Sequence, residues 1–348
     1  MNKEKLCMLV THNDFDAAGC AIVYYCWRLD QEDEGPLGDE VIYCSNFDVD
    51  IKIQEAIDDG RIGSSTKLLM ADICCSINML ETLKTFKKEG TILVFDHHKT
   101  NLSVTNILDI YTKIYCDPDS EGKRPSGASI LFQELKSMIH HKECNFLLLC
   151  DVVEKARSYD TFQWKDTNDF EAKELQTLFF LLGMERFVNR YVSRIKTDWY
   201  ATDKADIFIP VDKEFVDAKI EQEQRNIDGV TPENIFTFKI KGYKTAVKFQ
   251  SGGMNISELS HQFLSKYTDY DMFIGVNLGE GSIAFRTSRT DLDTGFEFAR
   301  NIIANGRYGG GHPQASGCGI PNELRLEIIN RIVDLISDQK EYVEINKL

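Results

Sequence analysis

The chain has 348 residues, 43% of them hydrophobic and 27% charged, with a net charge of −15. Such a length suits about two domains, and the mix excludes wholesale disorder. The acidity excludes a broadly basic surface of the kind that grips long duplex nucleic acid, and without a run of about 18 apolar residues no membrane span is expected.

Leu6 to Thr11 reads as a buried strand. Its apolar piece is too short for a signal-peptide core and no small-residue cleavage site follows, so a cytoplasmic protein is expected. Ala17 to Leu29 reads as a helix, Val41 to Cys44 as a strand and Lys67 to Ala71 as another. Ile77 to Lys88 is predicted helical, Thr91 to Phe95 extended, and Ser126 to His140 and Asn145 to Arg157 helical. Strands alternating with helices predict right-handed crossovers and a mainly parallel sheet. From Phe170 to Asn226 the chain is charged, aromatic and helix-biased. Phe236 to Ile240 and Thr245 to Phe249 flank a Lys-Gly-Tyr turn and predict a hairpin. A helix over Ile256 to Tyr267, strands over Met272 to Asn277 and Ser282 to Arg286, and a closing helix over Glu323 to Asp338 complete a small α+β pattern. The fold class is therefore α/β, with a mainly parallel N-terminal domain and a smaller C-terminal α+β domain. The divisions are 1–185, a helical linker over 186–232, and 233–348. The 10 cysteines form no C-x-x-C pair, so no structural zinc site is expected, and most lie in apolar runs as small hydrophobes.

Polar residues follow each predicted strand at once, where open parallel sheets carry their active sites. His12, Asp14 and Asp16 follow the first strand. Together they suit Mn²⁺, Mg²⁺, Zn²⁺ or Fe²⁺, although Asp14 or Asp16 could equally cap the next helix. Asp72 ends an apolar strand and alone reads as a cap. Asp96, His97 and His98 close another buried strand, where an adjacent pair of imidazoles favours a metal site over a structural role. Asp160 is the fourth candidate, with Asp151 a rival inside a helical pattern. Taken jointly, these elements could supply a pair of divalent ions about 3.5–4 Å apart with two or three ligands each and a bridging carboxylate. Gly309, Gly310 and Gly311 with His312, near Arg307 and Ser316, favour anion binding through backbone N–H groups. Arg286 and Arg289 add cationic donors there, or are merely solvated.

These motifs resemble those of the DHH phosphoesterase superfamily. THNDFDAAGC is close to its first motif, Asp72 in LLMADICC matches the isolated second-motif aspartate, VFDHHKT is the third and YDT around Asp160 looks like the fourth. RYGGGHPQASGCGI is similar to the glycine-rich signature of the DHH-associated C-terminal domain. Within the superfamily, the HND-D opening, YDTFQW and LFFLLGMERF look most like the bacterial nano-RNase B type of oligoribonuclease. The resemblance implies two-metal hydrolysis of very short single-stranded oligonucleotides to mononucleotides. Relatives act instead on cyclic dinucleotides, 3′-phosphoadenosine 5′-phosphate, single-stranded DNA or pyrophosphate, and a catalytically silent nucleotide sensor is a further alternative. The resemblance implies one ion on Asp14, Asp72 and His12, although the spacing of His12 from the acids departs from the usual pattern. The other ion would take Asp16, Asp72, His97 and Asp160, Asp72 bridging. Mn²⁺ is the expected ion, with Mg²⁺ or Co²⁺ as alternatives. His98 would contact the phosphate, and Asp96 would support the histidines. Arg286, Gly310, Gly311 and His312 would hold substrate from across a cleft between the domains. Neither long duplex nucleic acid nor membrane is an expected partner, and a homodimer is allowed.

Overall fold

The computed structural model describes residues 7–28, 41–46, 48–86, 88, 91–106, 110–139, 145–197, 206–250, 256–279, 281–304, 307–321 and scattered positions up to 330. The chain divides into two compact units, Met1–Lys219 and Ile220–Leu348.

The first unit is built on a five-stranded sheet of β1 (Cys7–Thr11), β2 (Val41–Tyr43), β3 (Lys67–Ala71), β4 (Ile92–Asp96) and β5 (Tyr111–Ile114). Their order is β2-β1-β3-β4-β5 and every pairing is parallel. Continuous apolar runs such as Cys7–Thr11 are buried throughout because helices cover both faces of a parallel sheet. On one face α2 (Val49–Asp58) and α3 (Ile77–Phe86) deliver Val49, Ile53, Ala56, Leu80 and Leu83 onto Met8, Val10, Leu68, Met70 and Val94. Elsewhere in the unit α1 (Phe15–Arg28) packs against α4 (Gly127–Leu135), α5 (Phe146–Asp160) and α8 (Met184–Thr197). All 14 residues of α1 are buried. Gly19 permits that crowding, since a Cβ there would lie 2.9 Å from Ala128 Cβ and 3.3 Å from Ala156 Cβ. Between α5 and α8 run α6 (Gln163–Thr167) and α7 (Phe170–Leu182). The unit boundary falls inside α9 (Pro210–Asp228), in the stretch read as a helical linker.

The second unit holds a six-stranded mixed sheet in the order β12-β13-β9-β8-β7-β6. β6 (Phe236–Ile240) and β7 (Tyr243–Gln250) form a hairpin. Its two-residue turn puts both Lys241 (φ 51°) and Gly242 (φ 90°) at positive φ, as a primed turn requires. β7 and β8 (Met272–Asn277) pair in parallel through the crossover helix α10 (Ile256–Lys266). β9 (Ser282–Thr287) pairs antiparallel with β8 and with β13 (Ala315–Gly319), which pairs in turn with β12 (Gly310–His312). Short pieces, α11 (Thr294–Glu297), β10 (Ile303–Ala304) and β11 (Arg307–Tyr308), fill the interval. Most of the helix read over Glu323 to Asp338, and Leu29 of the first, lie outside the described residues.

Candidate metal centre

Thr11 is in register with Ala71, and Ala71 with Phe95, so the carboxyl ends of β1, β3 and β4 lie side by side. A Thr11 Oγ1 bond to Ala71 O, 2.9 Å, ties two of them together. The residues just past these strand ends therefore meet at one edge. His12 to Asp16 leave β1, Asp72 leaves β3, and Asp96 with His97 and His98 end β4. The last residue of α5, Asp160, reaches the same place: its Oδ2 is 3.5 Å from His97 Nε2. Three sets of donor atoms each lie within 4.8 Å of one another: His12, Asp14 and Asp72; Asp16, His97 and Asp160; and Asp72, Asp96, His97 and His98. The structure thus assembles every N-terminal candidate named above, while Asp151 lies within the body of α5.

Each side chain is held by specific contacts. Asp14 Oδ1 accepts the amide of Ala17, capping α1, while its Oδ2 is 2.9 Å from His12 Nδ1. Capping and ligand readings of Asp14 are therefore compatible. Asp16 is 1% exposed and is gripped by α4: Oδ1 accepts Ser126 Oγ at 2.6 Å and Oδ2 accepts the Ala128 amide at 3.1 Å. Asp72, 3% exposed, adopts φ 60°, a left-handed conformation that aspartate tolerates better than most side chains. Its amide donates to Phe95 O and its Oδ1 lies 3.1 Å from His97 Nε2. Asp96 is fully buried and accepts from the amides of His97 and His98, from Asn101 Nδ2 and from His98 Nδ1 at 2.8 Å. Its oxygens are thereby occupied in fixing the two histidines.

The electrostatics follow from this crowding. Burial, and then the charges of Asp14, Asp16 and Asp160, push the Asp72 carboxyl well above the usual carboxylate range. Burial and the same cluster raise Asp160. Asp16 is pushed up to about 7 by burial, with Asp14 adding to the rise and Ser126 and the α4 amides opposing it. Desolvation works against ionised Asp14, but the hydrogen bond and charge of His12 and the Ala17 amide outweigh it and lower its pKa. At Asp96 burial is likewise outweighed by His98 and Asn101, and the pKa falls. Burial, reinforced by His98, holds His97 down to about 4, so its imidazole is neutral at pH 7. At His98 burial is outweighed by Asp96, and the pKa rises.

This donor set fits divalent cations. Grouped buried carboxylates cost free energy unless positive charge meets them, and the basic side chains set against Asp14, Asp72, Asp96 and Asp160 are, among the described residues, histidines alone, of which His97 is neutral at pH 7. Asp160 Oδ2 is buried with no hydrogen-bond partner among the described residues. Mixed carboxylate and neutral imidazole donors suit borderline divalent ions.

The second-unit candidates are more dispersed in role. Arg286 is in register with Ala315 of β13, which is in register with His312 of β12. The Arg286 guanidinium donates to Phe285 O, Ser316 O and, at 2.7 Å, Ser257 Oγ. Arg289 is committed to Asp291 and Asp271, with contacts of 2.7–2.9 Å. Ser316 is 4% exposed and donates to Thr294 Oγ1. Gly309 is a packing glycine, since a Cβ there would meet Ala299 O at 2.4 Å, whereas Gly310 faces open space. Gly311 continues β12. The side chains of Arg307 and His312 lie outside the described residues. Sequence reasoning took Ser126 only as a helix start and missed its bond to Asp16, a contact spanning 110 positions. The one available signal was Ser126-Gly127-Ala128-Ser129, which forms a capping box.

No family model matches the chain. Over 320 residues, 91% of this chain and 73% of the other, it is 25% identical to oligoribonuclease NrnB of Bacillus subtilis (strain 168). Among solved structures, the pGpG-specific phosphodiesterase PggH from Vibrio cholerae is 15% identical with a TM-score of 0.48, covering 95% of this chain and 99% of that one. RecJ of Thermus thermophilus in complex with Mn²⁺ is 13% identical with a TM-score of 0.48, covering 95% of this chain and 52% of that one. The similarity to NrnB extends over nearly the whole of this chain, whose motifs at the sheet edge resemble those of the DHH superfamily.

Proposed function

We propose that the protein is a two-metal phosphodiesterase that hydrolyses very short single-stranded oligonucleotides, dinucleotides included, to mononucleotides. The observation that carries this is the position of Asp72, whose carboxylate belongs both to the His12–Asp14 set and to the set containing His97. A carboxylate in that position suits a bridge between two cations. His12, Asp14 and Asp72 would hold one ion, and Asp16, Asp72, His97 and Asp160 the other. Mixed N and O donors favour Mn²⁺, with Mg²⁺ or Co²⁺ able to substitute. When bound, the ions would neutralise the phosphate and make water a better nucleophile.

The chain's own residues do the rest. Because His97 stays neutral, its ring has a lone pair to present to a cation. Asp96 accepts a hydrogen bond from Nδ1 of His98 and fixes the ring, which leaves Nε2 to meet a phosphate oxygen as charge develops. Arg286 and the backbone N–H groups of Gly310 and Gly311 form an anion-binding surface on the second unit. Relatedness to an oligoribonuclease supports short RNA as the substrate. The net charge of −15 supports it too, since a long strand would want a basic track. The nine cysteines among the described residues are thiols, which supports a reducing, cytoplasmic setting.

The test is a substrate panel with added Mn²⁺. It comprises labelled RNA and DNA of two to about twenty nucleotides, cyclic dinucleotides and 3′-phosphoadenosine 5′-phosphate, chosen to separate a few-nucleotide cutter from the processive enzymes that track long strands. Dinucleotides and short RNA should be consumed fastest. Preference for the longest strands, or equal cleavage by Asp72→Ala, would refute the proposal.

A further inference from the structure

The turn that opens α4 touches two of the proposed ligands at once. Ser126 Oγ and the Ala128 amide hold the two oxygens of Asp16 at 2.6 and 3.1 Å. Gly127, between them, lies against Asp72. A Cβ at position 127 would fall 2.4 Å from Asp72 Cβ, 2.7 Å from its Cα and 2.8 Å from its N. Two of those three atoms are backbone, so no rotamer change could relieve the clash. Asp72 is also at φ 60° with its amide bonded to Phe95 O, which leaves its main chain little room to retreat. Left-handed non-glycine residues persist where their surroundings over-determine them.

We propose that the first turn of α4 is a positioning device for the metal centre: Ser126 and Ala128 hold Asp16, the bare α-carbon of Gly127 seats Asp72, and the turn thereby sets the spacing between the two carboxylates. Ser126 caps the helix through the amide of Ser129, so the turn is itself anchored. A methyl group at 127 leaves two ways out. Asp72 can leave its left-handed conformation and swing its carboxylate from the cluster, or α4 can back away and draw Ser126 and Ala128 off Asp16. Either route spoils one carboxylate's placement while every ligand remains chemically present. The inference rests on reading these carboxylates as metal ligands.

Mn²⁺ titration of the full chain by calorimetry, which needs no turnover, tests it. Gly127→Ala should fold, as judged by circular dichroism, and bind Mn²⁺ about tenfold or more weakly, the range typical of lost supports behind a ligand. Its kcat on a dinucleotide should fall with KM little changed. Gly275→Ala is the control for a purely structural cost. Its Cβ would meet Ile256 at 2.6 Å in the other unit, and it should lower the melting temperature without altering Mn²⁺ affinity. Parent-like Mn²⁺ binding by Gly127→Ala would overturn the proposal. Should that variant not fold, Ser126→Ala decides: it deletes the Asp16 bond without adding an atom and should also weaken Mn²⁺, whereas unchanged affinity overturns the idea. A parent that binds two Mn²⁺ ions yet cleaves no oligonucleotide would sink the functional reading alone.

Discussion

Asp16 makes the metal-free protein sensitive to pH in a defined direction. Its carboxyl lies at about 7 in the folded chain against an ordinary value of 3.8. Because the folded pKa is the higher one, folding favours the protonated form, and the stabilisation is complete below the unfolded pKa and lost as pH rises through the folded one. The full loss corresponds to about 4 kcal/mol. Between about pH 5.5 and about pH 8 the share lost is about 2 kcal/mol, because much of the change lies below that window. His97, held down to about 4, pulls the other way as pH falls below its ordinary 6.5. Asp72 and Asp160, also raised, act in the same direction as Asp16, and comparing the parent with Asp16→Asn removes the His97 contribution and isolates what the Asp16 charge adds, its effect on those two included. Asparagine keeps the site polar, since Ser126 can turn from donor to acceptor, and it does not titrate. Urea denaturation of both proteins in chelator should show the parent losing about 2 kcal/mol relative to the variant over the window. Added Mn²⁺ should restore the parent at the upper pH by binding the folded state. A parent–variant difference that stays flat with pH would refute the reasoning.

Other outcomes follow from the same geometry. Chelation should abolish dinucleotide hydrolysis and Mn²⁺ should restore it, with a higher melting temperature for the loaded protein. His98→Ala should lower kcat about 10²-fold while leaving calorimetric Mn²⁺ binding intact, since Asp96 and not a ligand role fixes that ring. Arg289→Ala should leave KM and the melting temperature close to the parent's, because its guanidinium serves exposed pairs with Asp271 and Asp291. Arg286→Gln, by contrast, should raise KM in steady-state assays.

The strands that carry the site were legible because each is a continuous apolar run that stops at an acid or imidazole: Cys7–Thr11 before His12, Lys67–Ala71 before Asp72, Ile92–Asp96 before the histidines. β5 was not, because Tyr111–Ile114 is a half-exposed edge with neither an apolar run nor alternation. Contacts between distant positions were the other blind spot. Nothing local in Ser126 or Gly127 announces Asp16 or Asp72, and nothing in Asp72 announces a left-handed backbone. For Arg289 and Ser316 the residue type suggested an anion, but the structure gives both a protein partner. Asp14 shows how one residue can cap a helix with one oxygen while the other faces a neighbouring donor residue, so that a capping reading does not exclude a ligand reading.

A helix without a solvent face has a kinetic signature. Its amide hydrogens have no cheap local opening to exchange through, so those of Phe15–Arg28 should be among the last in the molecule to take up deuterium. Asp16 lies in its first turn. Any fluctuation that dislodged this aspartate would have to loosen the heart of the first unit.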